Sequence, residues 1–384
     1  MTIFLRTILI ATAVLLFGAA CDNADKEVSI SELRTQAIQN YAEVVLAIYE
    51  DSYLTAQTLK TTIDAFVANP TAEGLEACRT AWKAARMPYG QSEAFRFYGG
   101  PIDNEEGPEG FINAWPIDEN YIDYTVSQPD QGIINNPDDY PVINKQLLMD
   151  LNEAGSETNI STGYHAIEFL LWGQDLSDDG PGGRPYTDYV TDGTGTAANQ
   201  MRRGQYLKAV SDLLLDHLML VRDAWAEGTA YRADFTATGN VIETLDNMFR
   251  GIGVLSKAEL AGERMLVAAE SQDQENEHSC FSDNTHADLK MNFLGIQNVY
   301  YGTYTRIDNS TVSGTSLKAL AERTNKTKAD ALEASFEEVE TKLNAIPAPF
   351  DRVIINNPDL IISAAESLSL LSDRIADVAT DVKK

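Results

Sequence analysis

Apolar residues recur at three- and four-residue steps in block after block of this chain, the period of a helix face packed on a core. Leu33, Ile38, Tyr41, Val45 and Ile48 trace one such stripe, and Ser29 with Glu32 forms a capping-box pattern ahead of it, so a first helix is expected to open there. Asn69-Pro70 ends the next helical stretch, and Leu75, Cys78, Trp82 and Ala85 mark another. Further on, Leu207, Val210, Leu214, Leu218, Val221 and Trp225 predict one helix, while Ser256 with Glu259 predicts the start of the next. Leu332, Phe336, Val339, Leu343 and Ile346 form a stripe that stops at Pro347. Asn357 and Pro358 then read as the cap and first turn of a last helix through Ile361, Ala364, Leu368, Leu371, Ile375 and Val378.

Strand-like alternation with hairpin turns is missing, so the expected fold is all-α, built as two helical bundles. The stretch from Gly99 to Pro141 is rich in Gly, Pro, Asn and Asp and reads as a long ordered loop, its interleaved Phe111, Trp115, Tyr121 and Tyr124 tying it to the core. A second break, Asp178 to Gly195, holds Gly180-Pro181-Gly182-Gly183 and marks the boundary between an N-terminal domain, 28–195, and a C-terminal domain, 200–384.

The first residues change the picture of where the chain works. Arg6, an apolar run from Ile8 to Ala20 and then Cys21 make a secretory signal peptide over 1–20. The small residues Gly18, Ala19 and Ala20 suit a lipoprotein peptidase that leaves Cys21 acylated, and cleavage by the ordinary signal peptidase is the alternative. The expected location is the cell envelope, facing the periplasm, with the membrane met through a lipid anchor only. A formal charge of −29 opposes binding to nucleic acid. It suits cation binding, and it equally suits plain solubility. Cys78 and Cys280 are too few for a disulfide framework, although an oxidising compartment would let them pair.

Candidate chemistry concentrates in Ser161-Thr162-Gly163-Tyr164-His165-Ala166-Ile167-Glu168-Phe169-Leu170-Leu171-Trp172-Gly173. Ser161 or Thr162 can cap a helix whose body is apolar all round and therefore buried. His165 and Glu168, three apart, share a face and can hold one cation or bond each other. A buried imidazole and carboxylate are costly unless paired or metal-bound, and a satisfied core pair meets that demand as well as a ligand site does. Zinc-peptidase helices need His-Glu-x-x-His or His-x-x-Glu-His; Phe169 stands where the second pattern needs histidine.

Two further stretches bear the same residue types. In the run Asp273 to His286, Glu275 and His278 repeat the three-residue spacing in reverse order, and with His165 and Glu168 they could line one mixed nitrogen and oxygen site suited to iron or zinc. A solvated helix end with exposed acids is the alternative. From Trp82 to Glu93, helical offsets bring Arg86, Tyr89 and Glu93 to one face, with Pro88 as a kink; Glu93 is a carboxylate ligand candidate and Arg86 its partner or that of an anionic ligand. His217 reads as a helix-face residue.

Together these segments resemble the imelysin family, which is also called the iron-regulated protein A or insulin-cleaving membrane protease family. Its Gly-x-His-x-x-Glu signature is matched by Gly163, His165 and Glu168, and the likeness extends through Asn113-Ala-Trp-Pro and His-Ser-Cys-Phe-Ser-Asp-Asn-Thr-His. The resemblance covers most of the chain. It implies a two-domain helical fold, export, a link to iron acquisition and a classification among metallopeptidases.

The resulting expectation is an envelope protein that binds a divalent metal, iron or an iron-bearing ligand, with His165, Glu168, Glu93, Glu275 and His278 as metal ligands. Arg86, Tyr89 and Asp283 are expected to contact the ligand, and a transporter is the expected protein partner. The alternatives are a zinc metallopeptidase with Glu168 as ligand or base, and a structural or partner-binding module whose His–Glu pair only fixes the core.

Overall fold

Ser29 does cap the first helix, its hydroxyl accepting the Glu32 amide at 3.2 Å. In the computed structural model, which describes residues 28–177 and 180–384, that helix is α1, Ile30–Ala68. The expected signal peptide and the acylated Cys21 lie outside the described residues. Thr71 caps α2, Ala72–Ser92, in the same way. The Gly99 to Pro141 stretch carries only single turns, α3 (Glu109–Ile112), α4 (Glu119–Ile122) and the 3-10 turn Ile133–Asn135. It is tied down where the Arg202 guanidinium donates to the carbonyls of Ile133, Ile134 and Tyr140.

Next come α5 (Lys145–Leu151), α6 (Gly163–Trp172), α7 (Gln200–Ala224), α8 (Ala230–Phe235) and α9 (Val241–Val254). Contrary to the capping pattern at Ser256 and Glu259, no helix starts there. Helix α9 runs on through a twelve-residue π-helical stretch, Leu255–Leu266, into α10, Val267–Ser271, as one rod. Ser256 is buried and its hydroxyl donates to Leu368 O of the last helix, which binds two rods instead of ending one. The remaining helices are α11 (Thr285–Tyr301), α12 (Leu317–Ala345), α13 (Phe350–Asn356) and α14 (Pro358–Val382). A short antiparallel pair, β1 (Thr303–Thr305) with β2 (Thr311–Ser313), is the one piece of sheet among the described residues.

Two sets of helices share a continuous apolar core. Helices α1, α2, α6 and α7 pack together, as do the α9–α10 rod, α11, α12 and α14. The sets meet where α2 lies on α11 and where α1 lies on α9 and α12. Glycine permits the closest of these approaches: a Cβ on Gly295 of α11 would stand 2.3 Å from Gln91 O of α2. The seam between α2, α6 and the start of α11 is where the candidate residues gather.

Candidate functional site

Helix α6 begins against α3. Gly163 has φ +83°, and a Cβ there would sit 2.5 Å from Ile112 O, so only glycine satisfies both the backbone and the space. Neither expected capping side chain caps. Ser161 Oγ donates to Leu148 O at 2.6 Å and Thr162 Oγ1 donates to Asn152 Oδ1 at 3.1 Å, both turned back toward α5. All ten residues of α6 are buried, as their all-round apolarity demands.

Inside this helix His165 Nδ1 lies 2.9 Å from Glu168 Oε2. The other carboxylate oxygen, Oε1, accepts the Ser282 amide at 3.0 Å and the Ser282 hydroxyl at 2.7 Å. Both oxygens of Glu168 are therefore committed to orienting neighbours. Burial pushes Glu168 up to about 8 against the lowering effect of Ser282, and burial, then the Arg86 guanidinium, hold His165 well below the ordinary histidine range.

A second imidazole–carboxylate pair faces the first. His278 Nδ1 lies 3.0 Å from Asp288 Oδ2, in the first turn of α11. Asp288 also accepts from Ser279 Oγ at 2.5 Å, Asn284 Nδ2 at 3.2 Å and Arg86 Nε at 3.2 Å. Burial alone would raise its pKa; Arg86 and the bonds from His278 and Ser279 overcome this and hold it far below the usual carboxylate range. His278 is kept neutral by burial and by Arg264.

The two rings stand with centroids 4.7 Å apart at 75°. Neither Nε2 has a hydrogen-bond partner, and both residues are only 2 % exposed. Ionised Asp288 accepts the hydrogen bond of His278 Nδ1–H, which leaves Nε2 as a bare lone pair. The same tautomer holds at His165 whenever Glu168 is ionised. Carboxylates behind Nδ1 and free Nε2 atoms in front are the arrangement that orients imidazoles toward a metal or a proton donor.

Polar groups of both signs surround the pair. Arg86 donates to Asn113 Oδ1 at 2.5 Å and lies 5.0 Å from the Tyr164 ring centroid and 5.5 Å from that of Tyr89. Arg264, from the π-helical stretch, donates to Glu93 Oε2 at 2.8 Å and to Asn292 Oδ1 at 2.5 Å, and Arg96 adds a second bond to Glu93 Oε2 at 2.6 Å. Asn113 Nδ2, Glu93 Oε1, Arg264 Nε and the hydroxyls of Tyr89 and Tyr164 are buried without partners. Trp115, partly exposed, lies edge-on against His278 at 5.0 Å.

The five expected metal ligands do not form one ligand set. Among the described residues no three His, Cys, Asp or Glu side chains are arranged to hold a metal ion. Glu93 is clamped by Arg264 and Arg96, and its expected partner Arg86 pairs with Asp288 instead. Glu275 is exposed in the 3-10 turn Gln274–Asn276, while His278 lies in the following turn, so the helical offset that would align them never forms. Asp283 is partly buried in a left-handed turn, where burial and then Asp351 and Asp175 push it up to about 7. His217 is buried at 7 % exposure and stacks on Phe111. Cys78 and Cys280 are free thiols.

Asp288, Arg264 and Ser282 do as much in the site as the motif residues, and the sequence reading missed them. Asp288 carried one signal: an acid in the first turn of a helix, where the macrodipole favours it.

A helical protein with a buried glycine-histidine-glutamate motif at a seam between two helix sets is the imelysin type of architecture. The imelysin family model matches residues 45–376, and the chain belongs to that family. It is 27% identical over 349 residues to iron-regulated protein A of Synechococcus elongatus, covering 89% of this chain and 85% of that one. Among solved structures, an iron-regulated protein A precursor from Parabacteroides distasonis superimposes with a TM-score of 0.72 at 21% identity, over 93% of this chain and 97% of the other. An imelysin-like protein from Psychrobacter arcticum gives 0.60 at 13% identity, over 90% and 93%. Both likenesses are of fold. Among the described residues no helix is long and apolar enough to cross a membrane.

Proposed function

We propose that this protein binds iron-bearing cargo in the cell envelope, anchored through Cys21 and handing its cargo to a transporter, and that the imidazole pair His165–His278 is the point of attachment. The observation that carries the reading is the pair of buried, neutral imidazoles, each with a carboxylate behind Nδ1 and a partnerless Nε2 in front. Membership of the imelysin family and similarity to a protein named for regulation by iron support the choice of metal. Glu168 and Asp288 act as the orienting carboxylates and not as ligands. Entry requires the Asn113–Pro116 stretch to move, because both imidazoles are only 2 % exposed and Trp115 lies edge-on against His278.

Zinc peptidase chemistry does not fit these residues. It needs three protein ligands and a free base beside an activated water, and Glu168 is bonded at both oxygens. A purely structural role has one observation in its favour, the near-complete burial of the pair, and it predicts stability losses with no ligand lost. Calorimetric titration of ferrous ion and ferric citrate into wild type, His165→Ala and His278→Ala separates the readings. Loss of binding in both variants is expected; equal binding by all three proteins would end the proposal.

A further inference from the structure

Loops as long as Gly99 to Pro141 seldom persist in a compact domain without a task, and this one shapes a cavity of about 340 Å³ between Asn120 and Tyr140. That volume is near the lower end of the roughly 300–1,000 Å³ usual for small-molecule sites. Its floor is stiff. Arg202 holds the carbonyls of Ile133, Ile134 and Tyr140, and Gly132, at φ +97°, is pressed so close to α4 that a Cβ there would stand 2.5 Å from Asp123 N. Asn135 is fully spent: Nδ2 donates to Gln131 O at 2.7 Å and to Asp123 Oδ1 at 3.1 Å, while Oδ1 accepts from Asn199 Nδ2 at 3.0 Å. Tyr121 is fixed by its hydroxyl, which donates to Leu151 O at 2.7 Å, and Tyr140 by its amide, which donates to Asn136 O at 3.0 Å.

The groups left over define a guest. Among the described residues no hydrogen bond or ion pair engages the side chains of Asp130 and Gln131, both exposed at the cavity. Asn120 and Asn136 each commit one amide hydrogen, to Asp118 Oδ1 and Asp139 Oδ2, and keep the other. None of the described residues lining the cavity is Lys or Arg, and Asp130 is the one charged side chain, so an anion meets no counter-charge and a metal ion meets too few donors. An apolar guest would strip water from these groups and return no bonds. Hydroxyl groups, each donor and acceptor at once, match carboxylate and carboxamides together, and the C–H faces of a sugar ring pack on aromatic rings. We infer that this cavity binds a neutral carbohydrate: Asp130 accepts from neighbouring hydroxyls, Gln131, Asn120 and Asn136 donate to sugar oxygens, and Tyr121 and Tyr140 pack against the ring. The inference shares no residue with the imidazole pair and stands apart from it.

Calorimetric titration of the purified protein with N,N′-diacetylchitobiose, cellobiose, maltose and digalacturonate tests it. At least one neutral disaccharide is expected to bind and digalacturonate is not. Preference for diacetylchitobiose would identify an N-acetylated envelope glycan, and preference for cellobiose or maltose a plain hexose chain. Asp130→Ala removes an exposed side chain with no bonds to lose, so the fold is kept, and affinity should fall about tenfold or more. Tyr140→Ala should weaken binding too, while His165→Ala should match wild type. No binding of any neutral disaccharide, equal affinity in wild type and Asp130→Ala, or digalacturonate bound as tightly as the neutral sugars overturns the inference and leaves the iron reading untouched.

Discussion

Glu168→Gln offers the sharpest probe of how the site is wired. Glutamine has the volume of glutamate, and its carbonyl oxygen can still accept from the Ser282 amide and hydroxyl, so the tie between α6 and the turn before α11 survives. Its amide faces His165 Nδ1 as a donor at every pH and holds the imidazole proton on Nε2, so above about pH 8, where wild-type Glu168 is ionised, the variant lacks the metal-facing lone pair that wild type has. Loss of an orienting partner typically costs 10–100-fold in metal affinity, about 1.4–2.8 kcal/mol. Stability responds differently. Glu168 titrates near 8 in the folded protein, above its ordinary value of 4.5, because of its burial. A raised folded pKa means that its stabilising contribution is full below about pH 4.5 and is lost as pH rises toward 8. The neutral glutamine does not titrate, so Glu168→Gln should gain stability relative to wild type across that window, at up to about 1.4 kcal/mol per pH unit. Urea unfolding at pH 5, 6, 7 and 8 measures the difference directly. Parallel stability curves for the two proteins would refute a buried, proton-holding carboxylate at this position, and undiminished iron binding above pH 8 would refute its orienting role.

Asp288→Ala should unfold far more easily than Glu168→Gln, by roughly 3–5 kcal/mol, because it strands the buried Arg86 charge. Chemical denaturation checks this, and a loss under about 1 kcal/mol would contradict the ion pair's burial. Gly163→Ala must place a Cβ against Ile112 O in left-handed backbone, a strain of roughly 1–3 kcal/mol for the backbone alone with the overlap added to it. Thermal melting should show a clear drop, and an unchanged midpoint would mean that α3 and α6 are not pressed together as described.

Much of this fold is legible as helical stripes, because α1, α2, α7 and α14 each bury an apolar face, α1 and α2 open on ordinary caps, Ser29 and Thr71, and Pro358 stands in the first turn of α14. The pattern misled at Ser256, where a local capping signature lies inside a rod widened by π-helical turns; side-chain spacing says nothing about a hydrogen bond that reaches across to Leu368. His165 and Glu168 could be paired from their spacing since both lie on one continuous helix. The groups gathered around them could not: Ser282 bonds Glu168 from the turn before α11, and Asp288 and Arg264 bear on His165 electrostatically from α11 and the π-helical stretch, more than ninety positions along the chain. Glu275 and His278 show the opposite failure, a helical interval spanned by two turns that are not a helix.

The edge-on contact between Trp115 and His278 gives the molecule an optical property of its own. A coloured or paramagnetic guest on the imidazoles would sit within about one ring's width of this indole, near enough to take up its excited-state energy. Were cargo to seat there as proposed, light emitted by Trp115 would dim as it arrives and recover as it leaves, and the indole beside His278 would report occupancy without an added label.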